Sequence, residues 1–319
     1  MKVKSMHSSH SMNRKENVAV IVVTHNRRQE LLRCIQAILN QTMNCDIIIV
    51  DNASIDGTKE ALHEMGIINH PCVHYLYRSE NTGGAGGFYQ GLKWAINGRW
   101  QWFWLMDDDA LPERDALEKL LIQASNWKNI YGSTAVGADN GKIKLCFPAR
   151  RSNQSGNEFI EYHESLANLE DVAWIPFLGF LIHRKLIENI GLPDKDFFIL
   201  DDDVEYSVRA KKKGAKLKMV KSSIIYHPFQ PSIPVKILNW KIYYRSMPAW
   251  KVYYDVRNKI LIARRHYPIL LWTKTMPGII FRAIFALLHE KKKRQQIHAY
   301  SIAIIDGLFG RKGKRSLNQ

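Results

Sequence analysis

Val18 to Thr58 reads VAVIVVTHNRRQELLRCIQAILNQTMNCDIIIVDNASIDGT, and this stretch decides the fold. Val18–Val23 is an uninterrupted β-branched run, the pattern of a strand buried on both faces. Thr24-His25-Asn26-Arg27 is a polar turn. Glu30–Asn40 then carries Leu31, Leu32, Ile35 and Ile38 at helical spacing. Asp46–Val50 is a second buried strand that ends at Asp51, and a helix is expected from Thr58 to about Met65. With a third strand at Val73–Tyr77, the β-α-β-α-β rhythm predicts an α/β protein with a mostly parallel central sheet flanked by helices. Ligands of such sheets bind at the carboxyl ends of the strands. The residues to watch are therefore Thr24, Asn26, Asp51, Asn52, Arg78 and Asn81.

Further along, Gly83-Gly84-Ala85-Gly86-Gly87 opens a helical segment that runs to about Asn97. Trp102–Met106 is a fourth strand, followed by Asp107-Asp108-Asp109. Pro112–Asn126 reads as a helix with proline near its start. Residues 131–170 show no clear periodicity. Asp171–His183 suggests one or two strands broken at Pro-Phe-Leu-Gly. An apolar segment then leads into Asp201-Asp202-Asp203, and a helix is expected from Val204 to Lys213, stopped by Gly214. Lys216–Val220 and Ile224–Tyr226 are strand-like, and His227-Pro228 ends them. From Trp240 onward Tyr243, Tyr244, Trp250, Tyr253, Tyr254 and Trp272 mix with Lys and Arg at helical spacing.

The chain of 319 residues is long enough for one large domain or two modest ones. Its net charge of +16 is not spread evenly. Residues 241–319 hold 17 Lys/Arg against 3 Asp/Glu, whereas residues 1–240 hold 29 against 27. A near-neutral body thus precedes a basic C-terminal quarter, whose partner should be an anionic surface. The four cysteines are scattered with no C-x-x-C pair, as in a reducing compartment. Residues 1–16 lack an apolar core of a signal peptide and are expected to be a disordered leader. Pro268–His289 is the nearest approach to a spanning helix, but Lys274 and Arg282 interrupt it, which suits an interfacial helix.

Two acidic clusters carry the chemistry. Asp107-Asp108-Asp109 places three repelling carboxylates after an apolar strand, an arrangement that a hard divalent cation relieves. A solvated acidic turn that caps the next helix gives the same pattern. Asp201-Asp202-Asp203, followed by Glu205, is either a second half of the same site, supplying a general base, or a helix cap. His227 after another apolar strand is either structural or a metal ligand. The glycine run matches no Walker loop and stands in the wrong place for a dinucleotide fingerprint, but it can bring backbone close to a nucleotide.

VTHNR (Val23–Arg27), VDNASIDGT (Val50–Thr58), NTGGAGGF (Asn81–Phe88), LMDDDA (Leu105–Ala110), FFILDDDVEYSVRAKKKG (Phe197–Gly214) and His227 stand in the order found in glycosyltransferase family 2. Over residues 18–230 the chain resembles the rhamnosyl- and galactofuranosyl-transferase branch of that family. Tyr253-Tyr254 to Arg257-Asn258 resembles a Y-Y-x-x-R-N motif that follows the catalytic domain there. The resemblance implies a GT-A fold over residues 17–235, with a helical, membrane-associating region over 236–319. It also implies a nucleotide-diphosphate sugar donor (UDP- or dTDP-linked), a divalent metal (Mn²⁺ or Mg²⁺) and inversion at the anomeric carbon. Thr24, Asn26, Asp51, Arg78, Asn81 and Gly84 would line the donor pocket, with Asp51 on the base. Asp107 and Asp108 would also face the donor. Asp107, Asp109 and His227 would hold the metal. Asp203 would be the catalytic base, with Asp202 beside it. Asp201 is an extra acid where relatives often carry an aromatic residue.

A cytoplasmic enzyme bound peripherally to an anionic membrane, acting on a glycan or lipid-linked glycan acceptor in cell-surface polysaccharide assembly, follows from that resemblance and the basic quarter. No nucleic-acid module is recognisable. Two rivals stand beside this reading. A sugar nucleotidyltransferase would carry a glycine-rich basic loop directly after the first strand, where this chain has Thr24-His25-Asn26-Arg27. A non-catalytic membrane-surface scaffold would have no need of intact acidic clusters.

Overall fold

The β-branched runs form the parallel half of one sheet. A computed structural model describes residues 17–139, 142–152, 159–229, 233–237, 240–244 and 246–315, and the expected leader lies outside the described residues. Strand β1 (Val18–Thr24) leads into helix α1 (Arg28–Leu39), β2 (Asp46–Asp51), α2 (Thr58–Glu64), β3 (Val73–Tyr77), α3 (Gly83–Ala95) and β4 (Trp102–Asp107). β3, β2, β1 and β4 lie side by side and parallel. Every residue of β1 is buried, because one face packs under α3 and the other under α1. α3 lies unusually close to β1: a Cβ at Gly87 would stand 2.3 Å from Val23 Cγ1. The interstrand register pairs Thr24 with Asp51 and Val23 with Asp107, so the three polar strand ends share one rim.

After β4 the sheet turns mixed. β5 is the short pair Leu111–Pro112, α4 spans Ala116–Gln123, and β6 (Ile130–Asp139), β7 (Lys142–Arg150), β8 (Phe159–Tyr162), β9 (Leu169–Asp171) and β10 (Leu178–His183) follow. β10 runs antiparallel between β4 and β6. α5 (Arg184–Ile190), α6 (Asp202–Lys212) and β11 (Leu217–Tyr226) complete this half, with β11 parallel to β6. Three expectations are corrected here. Pro112 does not open a helix; it pairs with Ile225 in the sheet, and α4 begins four residues later. The two strand-like pieces at 216–226 are one strand with a register shift between Val220 and Ile224. The second acidic cluster does not end a strand: it follows the short 3-10 turn Lys195–Phe197 and opens α6.

The C-terminal quarter is not helical throughout. β12 (Ile233–Ile237) and β13 (Trp240–Tyr244) form an antiparallel hairpin across the expected boundary at 235–236, so Tyr243 and Tyr244 belong to a strand. α7 (Ala249–His266) then packs against the Lys293–Phe309 helix around Tyr253, Val256, Ile260, Ala299 and Ala303. Between them Pro268–His289, which includes a π-helical turn at Leu271–Thr275, is long and apolar enough to cross a membrane, and most of it is uncovered by protein.

Candidate active site

The rim at the ends of β1, β2 and β4 holds the first acidic cluster. Asp108 turns inward, 2% exposed, and accepts hydrogen bonds from Thr24 Oγ1 at 2.7 Å and Arg27 Nη1 at 3.1 Å. Thr24 is equally buried, so its hydroxyl serves Asp108. Burial lifts the Asp108 carboxyl to about 6 despite both partners. Asp109 points the other way. Arg27 Nη1 donates to its Oδ2 at 2.8 Å, and His227 Nε2, after the end of β11, lies 3.2 Å from its Oδ1. Burial pushes Asp109 up, but His227 and Arg27 outweigh it and hold the carboxyl below the usual range. His227 Nδ1 is buried without a hydrogen-bond partner among the described residues, and Asp109 Oδ1 meets nothing but His227 Nε2 there. Buried polar atoms left unpaired at a charged rim mark a place for a ligand.

Asp107 joins the two clusters. Burial pushes its carboxyl well above the ordinary range, and Asp109, Asp108, Asp202 and Asp203 all add to the shift. The two acidic groups, almost a hundred residues apart in sequence, therefore confront each other at one rim. Asp202 is buried and lifted to about 7, first by burial and then by its acidic neighbours. Asp203 is lifted well above its ordinary value by burial, Asp202 and Asp201, while Val204 N–H donates to its Oδ1 at 2.7 Å. A carboxylate with a raised pKa is a better proton acceptor than an ordinary one near neutral pH. Glu205 is instead structural: wholly buried, it takes Arg209, Arg265 and His266.

The remaining candidates occupy the crevice beside β2 and α3. Asp51 is 1% exposed; its Oδ2 accepts from Tyr75 Oη at 2.5 Å and its Oδ1 from Ser54 N–H at 2.8 Å. Asn26, at φ 52°, ties the two loops together by accepting from Ile55 N–H at 2.8 Å. Arg78 has a buried Nε without a partner among the described residues, a cationic group still free to bind. Asn81 Oδ1 accepts from Gly83 N–H at 2.8 Å at the start of α3. Gly83 is obligatory: its φ is +73°, and a Cβ there would stand 2.0 Å from Phe198 O. Gly84 faces open space.

The loop that leads into the second acidic cluster is strained, and α7 holds it. Phe198, Leu200 and Asp201 all have positive φ, at 67°, 65° and 60°. Each such non-glycine residue costs about 1–3 kcal/mol unless its surroundings over-determine it. Arg257 Nη2 donates to Phe197 O at 2.8 Å. Asn258 Nδ2 donates to Phe197 O, Ile199 O and Leu200 O at 3.1, 2.9 and 2.8 Å. Both side chains are wholly buried. This gives the Y-Y-x-x-R-N segment a physical task. Sequence reading gave no role to Arg27, Tyr75 or Lys259. Only Arg27 left a usable signal, a cation just past a strand end and facing an acidic triplet across a parallel pair.

A mixed sheet carries an acidic rim at the carboxyl ends of its parallel strands, with a second acidic cluster beside it. The model of the family described as "Glycosyl transferase family 2" matches residues 19–191, and the chain belongs to that family. It is 30% identical over 227 residues to galactofuranosyltransferase GlfT1 of Mycobacterium tuberculosis, covering 67% of this chain and 70% of that one. It is 23% identical over 296 residues to dTDP-rhamnosyl transferase RfbF of Shigella flexneri, covering 92% and 96%. Among solved structures, a mannosyltransferase from Pyrobaculum calidifontis in complex with GDP-Man and Mn²⁺ superposes with a TM-score of 0.57 at 15% identity, covering 92% of this chain and 88% of the other. The expected family, branch and fold are therefore found, and the chain is a glycosyltransferase.

Proposed function

We propose that this enzyme transfers a hexose, galactofuranose or rhamnose, from a UDP- or dTDP-linked donor to a hydroxyl of a lipid-linked glycan, with inversion, in cell-surface polysaccharide synthesis. The observation that carries this reading is that Asp107, within the first acidic cluster, also feels the charges of Asp202 and Asp203 of the second. The relatives' names suggest the two sugars.

Asp107, Asp109 and His227 fit a hard divalent cation: two carboxylates and an imidazole whose Nδ1 is buried without a partner among the described residues. Among the described residues no three such groups are already close enough to form a cage, so donor phosphate oxygens would complete the ligand set. Mn²⁺ or Mg²⁺ there would stabilise charge developing on the leaving diphosphate. Arg78 offers further positive charge to the donor. Asp203 takes the proton from the acceptor hydroxyl as that oxygen attacks the anomeric carbon from the opposite face, and a single displacement inverts the centre. Asp202 orients the acceptor. Asp108, Thr24 and Asp51 act behind this layer by fixing the loops.

Peripheral attachment to an anionic bilayer would bring the site to a lipid-linked acceptor. It is supported by the basic C-terminal quarter and by the exposed apolar side chains of the Pro268–His289 helix. Calorimetric titration with UDP, dTDP and GDP, each with and without Mn²⁺, tests the donor assignment. Tight metal-dependent binding of UDP or dTDP supports it, and preference for GDP overturns it.

A further inference from the structure

Asp201 stands at the head of the second acidic cluster, and α7 answers it with a lysine. Lys259 Nζ lies 3.0 Å from Asp201 Oδ2 and 3.3 Å from Oδ1, and it also donates to Asp255 Oδ1 one turn earlier on α7. Arg282 of the Pro268–His289 helix closes the group, 2.8 Å from Asp255 Oδ2. Two acids and two bases thus neutralise one another in a mostly buried cluster. Asp201 occupies the left-handed turn immediately before Asp202 and Asp203. The neighbouring carbonyls are already fixed by Arg257 and Asn258, two and one residues before Lys259 on the same helix. The side chain of Asp201 has a single donor among the described residues, Lys259. The turn is pinned here by charge.

We propose that Lys259 is a positioning residue for sugar transfer: through Asp201 it holds the turn that aims Asp203 at the acceptor hydroxyl. This rests on the reading of Asp203 as the base. Small displacements of a catalytic group cost up to about 100-fold in rate without weakening substrate binding.

The test uses the full chain and UDP-galactofuranose or dTDP-rhamnose, whichever the wild type turns over. Lys259→Met is expected to lower kcat about 10–100-fold. Donor KM and calorimetric affinity for the matching nucleotide with Mn²⁺ should stay within about twofold. Lys259→Arg should recover most of the loss, and Asp201→Asn/Lys259→Met should be no worse than Lys259→Met alone. A Lys259→Met kcat within twofold of wild type overturns the proposal. So does a loss of kcat and nucleotide binding together in both the Met and Arg variants, which would make the lysine merely structural. Asp203→Asn is measured in parallel: if it turns over normally, the base reading fails, whereas an inactive Asp203→Asn beside a normal Lys259→Met sinks only the positioning role.

Discussion

Arg27 donates to Asp109 at 2.8 Å, from the opposite side to His227. The guanidinium is the nearest counter-charge to the carboxylate proposed to hold the metal. It also reaches Asp108, so one cation bridges two of the three acids of the triplet. A cation arriving at Asp109 must compete with it. Arg27→Gln is therefore expected to tighten Mn²⁺ binding severalfold in calorimetry, and unchanged or weaker binding would deny the competition. Asp109→Ala should remove the Mn²⁺ dependence of nucleotide affinity altogether.

Asp203→Asn keeps the shape of the acid but cannot accept a proton. Turnover should fall about 10²–10⁴-fold, the range of general-base catalysis. Nucleotide affinity in the presence of Mn²⁺ should be retained. Product analysis by NMR of the anomeric proton, on the wild type, checks inversion.

The acidic rim makes stability depend on pH in an uncommon direction. Asp108 is lifted to about 6 and Asp202 to about 7, in both cases first by burial. A carboxyl whose folded pKa is raised contributes stability below its unfolded pKa and loses that contribution as pH rises through the folded value. Without ligand the protein should therefore gain stability as pH falls from 8 to 5, by roughly 5 °C in Tm. Mn²⁺ with nucleotide should stabilise most at pH 8 and hardly at pH 5. A melting curve that falls monotonically from pH 8 to pH 5 in the ligand-free protein would contradict this assignment.

Gly83→Ala places a Cβ 2.0 Å from Phe198 O at a positive φ. Backbone on both sides must shift, and the cost should be about 2–4 kcal/mol of stability. Because Phe198 belongs to the loop that leads to the proposed base Asp203, the folded fraction should also turn over more slowly. Thermal denaturation and a specific activity normalised to folded protein separate the two effects.

The outer side of the Pro268–His289 helix exposes Ile269, Trp272, Ile280, Ile284 and Leu288, while Arg282 turns inward to Asp255. Trp272→Ser/Leu288→Ser should cut sedimentation with phosphatidylglycerol-containing vesicles at least tenfold, by removing about 2 kcal/mol or more of apolar burial. Raising salt should weaken the binding of the wild type, because the neighbouring Lys291–Arg294 run acts through charge.

The parallel half of the fold was legible because β1 and β2 are buried on both faces and announce themselves as apolar runs. Val73–Tyr77 emerged at its observed bounds. The mixed half was not. β7 and β8 are antiparallel with a register break between Lys144 and Ala149, so no steady alternation marks them. Pro112 misled because proline at a helix start is common, whereas here it sits in a two-residue strand that pairs with β11. Strand-end acids such as Asp107 could be read from the chain alone. The grouping of Asp107 with Asp202 could be suspected from pattern, but the loop that delivers Asp202 and Asp203 is shaped by Arg257 and Asn258. Contacts across some sixty residues leave no local periodicity.

The grip of Arg257 and Asn258 on the carbonyls of Phe197, Ile199 and Leu200 has a consequence for how this protein can be divided. The family match ends at residue 191, before the second acidic cluster begins. A shortened chain ending ahead of α7 would keep the parallel sheet, Asp109 and His227, and on that account should still bind nucleotide. It would leave three positive-φ residues without their clamp, and the proton acceptor without a fixed address. Grafting the first two hundred and forty residues onto a relative's C-terminal half would meet the same difficulty unless the recipient supplied a cation for Asp201. On the proposed roles, such a chain would keep Asp203 but not the helix that fixes its loop, so donor binding should survive the cut better than transfer.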